Sequence, residues 1–246
     1  MPVHPIRSHW VKVPNGALQI DAYLAQPVAE GRFPGVVVIQ EIFGVNAHIR
    51  EVTEKIAQHG YVAIAPAIYQ RLAPGFEAGY SPEDIALGRQ YKEQTKAEEL
   101  LSDIGAAIAY LKSLPAVKTG GVGCIGFCFG GHVAYLAATL PEVAATASFY
   151  GAGIATFCPG GGPPTITRTP QIQGTLYAFY GMKDELIPLE QVDQIEAALQ
   201  EHNSPHQIFR YANAGHGFCC DQRADYVPDV AADAWNHVWE LFRSCL

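Results

Sequence analysis

Apolar and polar positions along this chain follow two periods. Residues 9–13 and 17–24 alternate every second position around Asn15-Gly16, the strongest short hairpin signal, and predict two antiparallel strands that open the fold. Residues 36–40 follow Pro34-Gly35 as a uniform, β-branched apolar run, the pattern of a strand buried on both faces. Between 46 and 59, Ile49, Val52, Ile56 and Ala57 recur at helical spacing, and Gly60 supplies the stop. Residues 61–65 predict a second buried strand. The stretch 66–81, broken by prolines and glycines, exceeds the roughly 4–6 residues of an ordinary connection, and loops of this length often lie over an active site.

Ser81 and Pro82 are suited to cap and begin a helix whose pattern runs to about residue 114, with Gly88 and Gly105 as the candidate breaks. A strand at 122–125 leads through a glycine-rich turn into helical residues 132–139. Strand-like segments at 144–150, 175–180 and 207–211 then alternate with helical ones at 189–201 and 226–242, and residues 159–170 read as a loop. This alternation predicts an α/β fold: a mostly parallel sheet with helices on both faces and an N-terminal antiparallel hairpin, in a single domain spanning 1–246.

Composition narrows the function classes. With 49% hydrophobic and 16% charged residues the chain is globular, and its length suits one α/β domain that needs no disulfides. A formal net charge of −8, from 24 acidic against 16 basic residues, leaves no positive surplus to neutralise phosphates, so no nucleic-acid partner is expected. No run of about 18 apolar residues predicts a membrane span, and the first ten residues lack the apolar stretch of a secretory signal. The six cysteines, at 124, 128, 158, 219, 220 and 245, form no C-x-x-C pair, which excludes a thioredoxin-type motif and a zinc ribbon and suits a reducing cytoplasm.

The candidate chemistry centres on Gly126-Phe127-Cys128-Phe129-Gly130-Gly131, a strand, sharp turn and helix in the order of a nucleophile elbow. Small residues two positions either side of Cys128 allow close backbone approach, and the following helix N-terminus favours a thiolate and a neighbouring oxyanion. Taken alone, the motif also fits a buried structural cysteine or a phosphate-binding turn. The rest of the constellation decides. In an α/β-hydrolase, the acid and then the histidine follow the nucleophile along the chain. Here Asp184 follows the 175–180 strand in Gly-Met-Lys-Asp, and His216 follows the 207–211 strand in Ala-Gly-His-Gly-Phe, both at carboxyl ends where open α/β sheets bind ligands. His59, His132 and His237 lie in helical patterns and read as packing or surface residues. Glu41, directly after the 36–40 strand, either is a solvated loop acid or reaches the site, where it would hold the thiol proton or pair with an activated histidine.

The segments Q-E-I-F-G-V-N at 40–46, G-F-C-F-G-G at 126–131, G-M-K-D at 181–184 and A-G-H-G-F at 214–218 resemble the dienelactone hydrolase (carboxymethylenebutenolidase) family over nearly the whole chain. The resemblance implies a triad of Cys128, His216 and Asp184, with Glu41 holding the resting thiol and the backbone N–H groups of Ile42 and Phe129 forming the oxyanion hole. It implies hydrolysis of a small lactone through an acyl-enzyme on Cys128, with neither metal nor organic cofactor and with a small-molecule lactone or ester as the partner. One departure concerns substrate. The family's carboxylate-binding arginine, four residues after the histidine, is Cys220 here, so the substrate's anionic end falls to Arg71, Arg89 or Arg223, and dienelactone itself is expected to be a poor substrate. Phe43, with Phe76, Tyr80, Tyr150 and Phe218, suits a more apolar ester. The competing readings are a broader carboxylesterase or thioesterase with the same triad, a non-catalytic ligand-binding protein on this fold, and a redox sensor using Cys124 or Cys219-Cys220. The assembly is expected to be a monomer or small homo-oligomer.

Overall fold

The computed structural model describes residues 3–246. Strands β1 (Ile6–Asn15) and β2 (Leu18–Pro27) form the antiparallel hairpin, and Gly16 takes φ +60° at the turn, a conformation that costs glycine nothing. There follow β3 (Gly35–Ile39), β4 (Val62–Pro66), β5 (Val122–Phe127), β6 (Val143–Phe149), β7 (Thr175–Gly181) and β8 (His206–Tyr211). All eight strands lie in one sheet in the order β1-β2-β4-β3-β5-β6-β7-β8; β2 meets β4 antiparallel, and every pairing from β4 to β8 is parallel.

The helices are α1 (Ala47–Gln58), α2 (Pro82–Gln94), α3 (Ala97–Ser113), α4 (Phe129–Ala137), α5 (Leu189–Glu201) and α6 (Pro228–Cys245). Because successive strand residues point to opposite faces, β3 feeds two cores. Val36 and Val38 pack with Ile49 and Val52 of α1 and Trp235 and Phe242 of α6; Val37 and Ile39 pack with Ile104 and Ile108 of α3 and Val133 of α4. The central strands are buried on both faces, which explains their uniform apolar pattern.

The helical pattern from 82 to 114 is two helices, not one, and the break falls at residues 95 and 96 instead of at a glycine. The Thr95 hydroxyl donates to the Lys92 carbonyl at 2.6 Å and closes α2, while the Ala97 N–H donates to the Pro159 carbonyl at 2.9 Å as α3 begins. Gly105 faces open space, whereas a Cβ at Gly88 would collide with the Ile42 carbonyl, so this glycine lets α2 lie directly on the loop after β3. The 159–170 segment also differs from a plain loop, since it leads into a 3-10 helix, Thr165–Gln171.

The long 67–81 loop does not cover the cleft described below. It braces the loop after β3: the Ala78 N–H donates to the Phe43 carbonyl at 3.0 Å, and the Tyr80 ring meets the Phe43 ring edge-on with centroids 4.8 Å apart.

Candidate active site

β5 enters a sharp turn at Cys128, whose backbone sits at φ 57°, ψ −120°, a region that a residue with a Cβ adopts only when its surroundings force it. The Cys128 N–H donates to the Phe149 carbonyl at 3.0 Å, and its own carbonyl accepts from Gly131 and His132 at 2.9 and 3.2 Å. The glycines are steric requirements. A Cβ at Gly126 would strike the Gly130 carbonyl, one at Gly130 the Gln40 and Ile39 carbonyls, and one at Gly131 the Phe149 carbonyl. The thiol is thereby held at the N-terminus of α4, where unpaired N–H groups favour negative charge.

Asp184 and His216 come together from the loops after β7 and β8. His216 Nδ1 is 2.7 Å from Asp184 Oδ2, and Asp184 Oδ1 accepts the Leu186 N–H at 2.9 Å, which fixes both oxygens of a buried carboxylate. The two loops are laced by the Lys183 N–H donating to the Ala214 carbonyl at 2.9 Å. Tyr150 packs edge-on against the imidazole with centroids 5.2 Å apart. With Nδ1 committed to the carboxylate, the buried Nε2 makes no bond of ordinary hydrogen-bond geometry. Burial depresses the His216 pKa, but the charge of the nearby Cys128 sulfur and the bond to Asp184 outweigh it and raise the value to about 10.

Glu41 is fully buried at the carboxyl end of β3. Its Oε1 faces Arg223 Nη1 at 3.3 Å and its Oε2 has no partner among the described residues; no hydrogen bond links it to Cys128. Arg223 also stands 3.8 Å from Asp225.

A cleft of about 460 Å³ joins these groups, lined by Cys128, His216, Phe43 and Arg223, by Ile42 and Phe129, and by Arg89 and Lys92 from α2. Neither the Ile42 nor the Phe129 N–H donates to a protein acceptor among the described residues, so both are available to a ligand oxygen. Arg89 and Lys92 form no ion pair among the described residues; the Lys92 ammonium lies over the Phe157 ring at 5.0 Å. Lys92, Phe157 and Leu186 escaped the sequence reading, because a cation or an apolar residue in a helical or loop pattern carries no mark of facing a cleft.

Other candidates lie elsewhere. Arg71 is not at the cleft: its guanidinium pairs with both oxygens of Asp103, at 3.0 and 2.7 Å, because a carboxylate that is 1% exposed requires a cation. Phe76 packs against Tyr69 and Tyr91, and Tyr150 and Phe218 are buried, so of the five aromatic candidates only Phe43 lines the cleft. His132 is a packing residue, bonded to the Ala152 carbonyl and the Thr165 hydroxyl. The cysteines are unbridged, and burial pushes the Cys124 thiol up, against a redox role. Among the described residues, no helix is long and apolar enough to cross a membrane.

A family model described as the dienelactone hydrolase family matches residues 20–246. A protein of Synechocystis sp. provisionally named carboxymethylenebutenolidase is 59% identical over 239 residues, which is 97% of each chain. A Bradyrhizobium sp. protein provisionally named 2-oxo-3-(5-oxofuran-2-ylidene)propanoate lactonase is 30% identical over 96% of this chain and 94% of its own. Among solved structures, one from Klebsiella pneumoniae, provisionally titled dienelactone hydrolase, superposes with a TM-score of 0.88 at 28% identity, covering 98% of this chain and 99% of that one. The acylaminoacyl peptidase of Pyrococcus horikoshii, at 16% identity and a TM-score of 0.75, shares the fold alone.

Proposed function

The chain belongs to the dienelactone hydrolase family of α/β-hydrolases, and on that premise we propose that Cys128, His216 and Asp184 form its triad and cleave a small lactone or ester through an acyl-enzyme. The Cys128 thiolate attacks the carbonyl, and the oxyanion is received by the N–H groups of Ile42 and Phe129. The His216 imidazolium protonates the departing alkoxide, which in a lactone stays tethered to the acyl group. His216 then takes a proton from water as the water attacks the thioester, and collapse of the intermediate releases the acid and restores the thiolate. Asp184 holds the imidazole in its tautomer. The observation that carries this reading is Cys128 at φ 57° sharing a cleft with a histidine whose Nδ1 is tied at 2.7 Å to a buried carboxylate and whose Nε2 is left free.

The substrate side of the cleft favours an anion. Arg89, Lys92 and Arg223 bring positive charge to it in a chain whose net charge is −8, and a relative's name specifies a lactone bearing a propanoate. Arg223 thus stands in for the arginine that Cys220 replaces. A substrate carboxylate that draws Arg223 toward the cleft would loosen its hold on Glu41 Oε1. A second reading, a broader esterase for neutral acyl groups, is favoured by Phe43, Phe157 and the exposed Leu186 in the same cleft.

Steady-state hydrolysis of dienelactone and of short p-nitrophenyl esters tests both readings on the native chain, Cys128→Ser and His216→Ala. Turnover in the native chain that both substitutions abolish supports the triad; equal turnover in Cys128→Ser overturns it. The ratio of kcat/KM for the anionic lactone to that for neutral esters separates the two substrate readings.

A further inference from the structure

Behind the cleft, on the α1 side of Glu41, lies a second cluster of ligating groups that the proposed hydrolysis does not use as a unit. One oxygen of Glu41, one ring nitrogen of His48 and Sγ of Cys220 all lie within 4.8 Å of one another, and all three residues are buried. Two atoms of this cluster's side chains, Glu41 Oε2 and His48 Nε2, have no hydrogen-bond partner among the described residues. Leaving a buried carboxylate oxygen and an imidazole nitrogen unpaired costs on the order of 1–3 kcal/mol each, and folded proteins retain such groups where a missing partner satisfies them.

Each group also has a supporting partner. Glu41 Oε1 is held by Arg223 at 3.3 Å, leaving Oε2 free; His48 Nδ1 is 3.8 Å from Asp221; the Cys220 thiol is 3.3 Å from the Tyr80 hydroxyl. Carboxylate ligands with their own donor and histidine ligands with a carboxylate behind them are the usual outer shell of a metal centre. His48, Glu51 and Asp221 form a second group with ligating atoms within 4.8 Å, and these residues line a separate cavity of about 230 Å³ on the α1 and α6 side.

We infer that Glu41, His48 and Cys220 form a binding site for a divalent transition cation, with Zn²⁺ the best match. One oxygen, one nitrogen and one sulfur is a borderline ligand set that suits Zn²⁺ and Co²⁺ and excludes Mg²⁺ and Ca²⁺, which take oxygen ligands. Donors at about 2.0–2.3 Å from a tetrahedral ion stand roughly 3.4 Å apart, so the side chains close by an ångström or so on binding, and a water completes the coordination. Binding displaces the thiol proton of Cys220 to solvent as the sulfur–metal bond forms, after which the Tyr80 hydroxyl, 3.3 Å from the sulfur, donates to the thiolate. The replacement of an arginine by Cys220 thereby gains a role: it removes a cation from this place and supplies a ligand.

The test uses Co²⁺, whose thiolate bond has a near-ultraviolet charge-transfer band, titrated into Cys128→Ser so that the proposed nucleophile does not compete. The expected result is a saturable band that Zn²⁺ abolishes, with an unfolding midpoint raised by Zn²⁺. Adding Cys220→Ser should remove the band, and adding His48→Ala should weaken binding beyond the roughly 10–100-fold that loss of an outer-shell partner costs; Tyr80→Phe should fall within that range. A band that persists unchanged in the Cys220→Ser chain, or no binding by Cys128→Ser, overturns the inference. The His48→Ala and Tyr80→Phe chains keep it testable if Cys220→Ser fails to fold, and none of these readouts depends on catalytic turnover.

Discussion

At the scale of single residues, the strain at Cys128 and the closeness of its glycine neighbours set what each position tolerates. Gly130→Ala would push a methyl group into the carbonyls of Gln40 and Ile39, both backbone atoms that cannot yield cheaply. The expected loss is at least about 1–3 kcal/mol of stability, together with most of the hydrolysis; a thermal melt at wild-type temperature would show the steric reading to be wrong. In the proposed triad, Asp184 acts through His216. Above the ordinary histidine range and up to about pH 10, the proton stays on His216 because of the Cys128 sulfur and the bond to Asp184. The leaving group needs that proton, so kcat/KM is expected to decline only as pH rises through about 10. Asp184→Asn removes a source of the upward shift, and the alkaline decline should move toward neutral pH. A pH–rate profile with an unmoved alkaline limb counts against this assignment.

At the scale of elements, α2 is the part that brings two cations to the cleft. Gly88 lets it rest on the Ile42 carbonyl, and from that seat Arg89 and Lys92 reach the cleft. Substituting either by alanine should raise KM for an anionic lactone or ester by roughly tenfold, equivalent to about 1.4 kcal/mol, while kinetics on a neutral p-nitrophenyl ester stay within twofold or so. Equal losses on both substrates would point to a change in helix position instead of a charge contact. Gly88→Val separates the two effects, since it displaces α2 from the Ile42 loop without touching a charge and should lower kcat for every substrate.

At the scale of the whole molecule, the Arg71–Asp103 pair joins distant pieces of chain. Asp103 on α3 also accepts from Asn15 at the tip of the hairpin, at 2.7 Å, so one buried carboxylate ties the hairpin, the 67–81 loop and α3 together. Arg71→Ala leaves that charge with Asn15 alone. Stability should drop by about 2–3 kcal/mol, near the low end for a broken buried pair, and the unfolding midpoint by roughly 5–10 °C for a chain of this size. Because the pair is remote from the cleft, kcat/KM measured well below the transition should not change; a selective loss of activity without destabilisation would return Arg71 to the substrate side.

The sequence by itself determined the strands, the hairpin and the order of Cys128, Asp184 and His216, because these depend on local signals: apolar period, turn chemistry, and loops placed at strand ends by alternation. It also exposed the departure at Cys220. What only the tertiary structure decided was which charges meet. Arg71, Arg89 and Arg223 look alike along the chain, yet one serves a buried carboxylate, one faces the cleft unpaired, and one is shared between Glu41 and the cleft. The helix break at Thr95 was hidden for the same reason, since a tertiary bond from Ala97 to Pro159 helps fix it. Glu41, His48 and Cys220 are separated by as many as 179 positions in sequence, and no spacing rule links them. Local pattern fixes the backbone's period; partners for charged and ligating side chains are fixed by burial, which exists only once the sheet and its helices have closed around them.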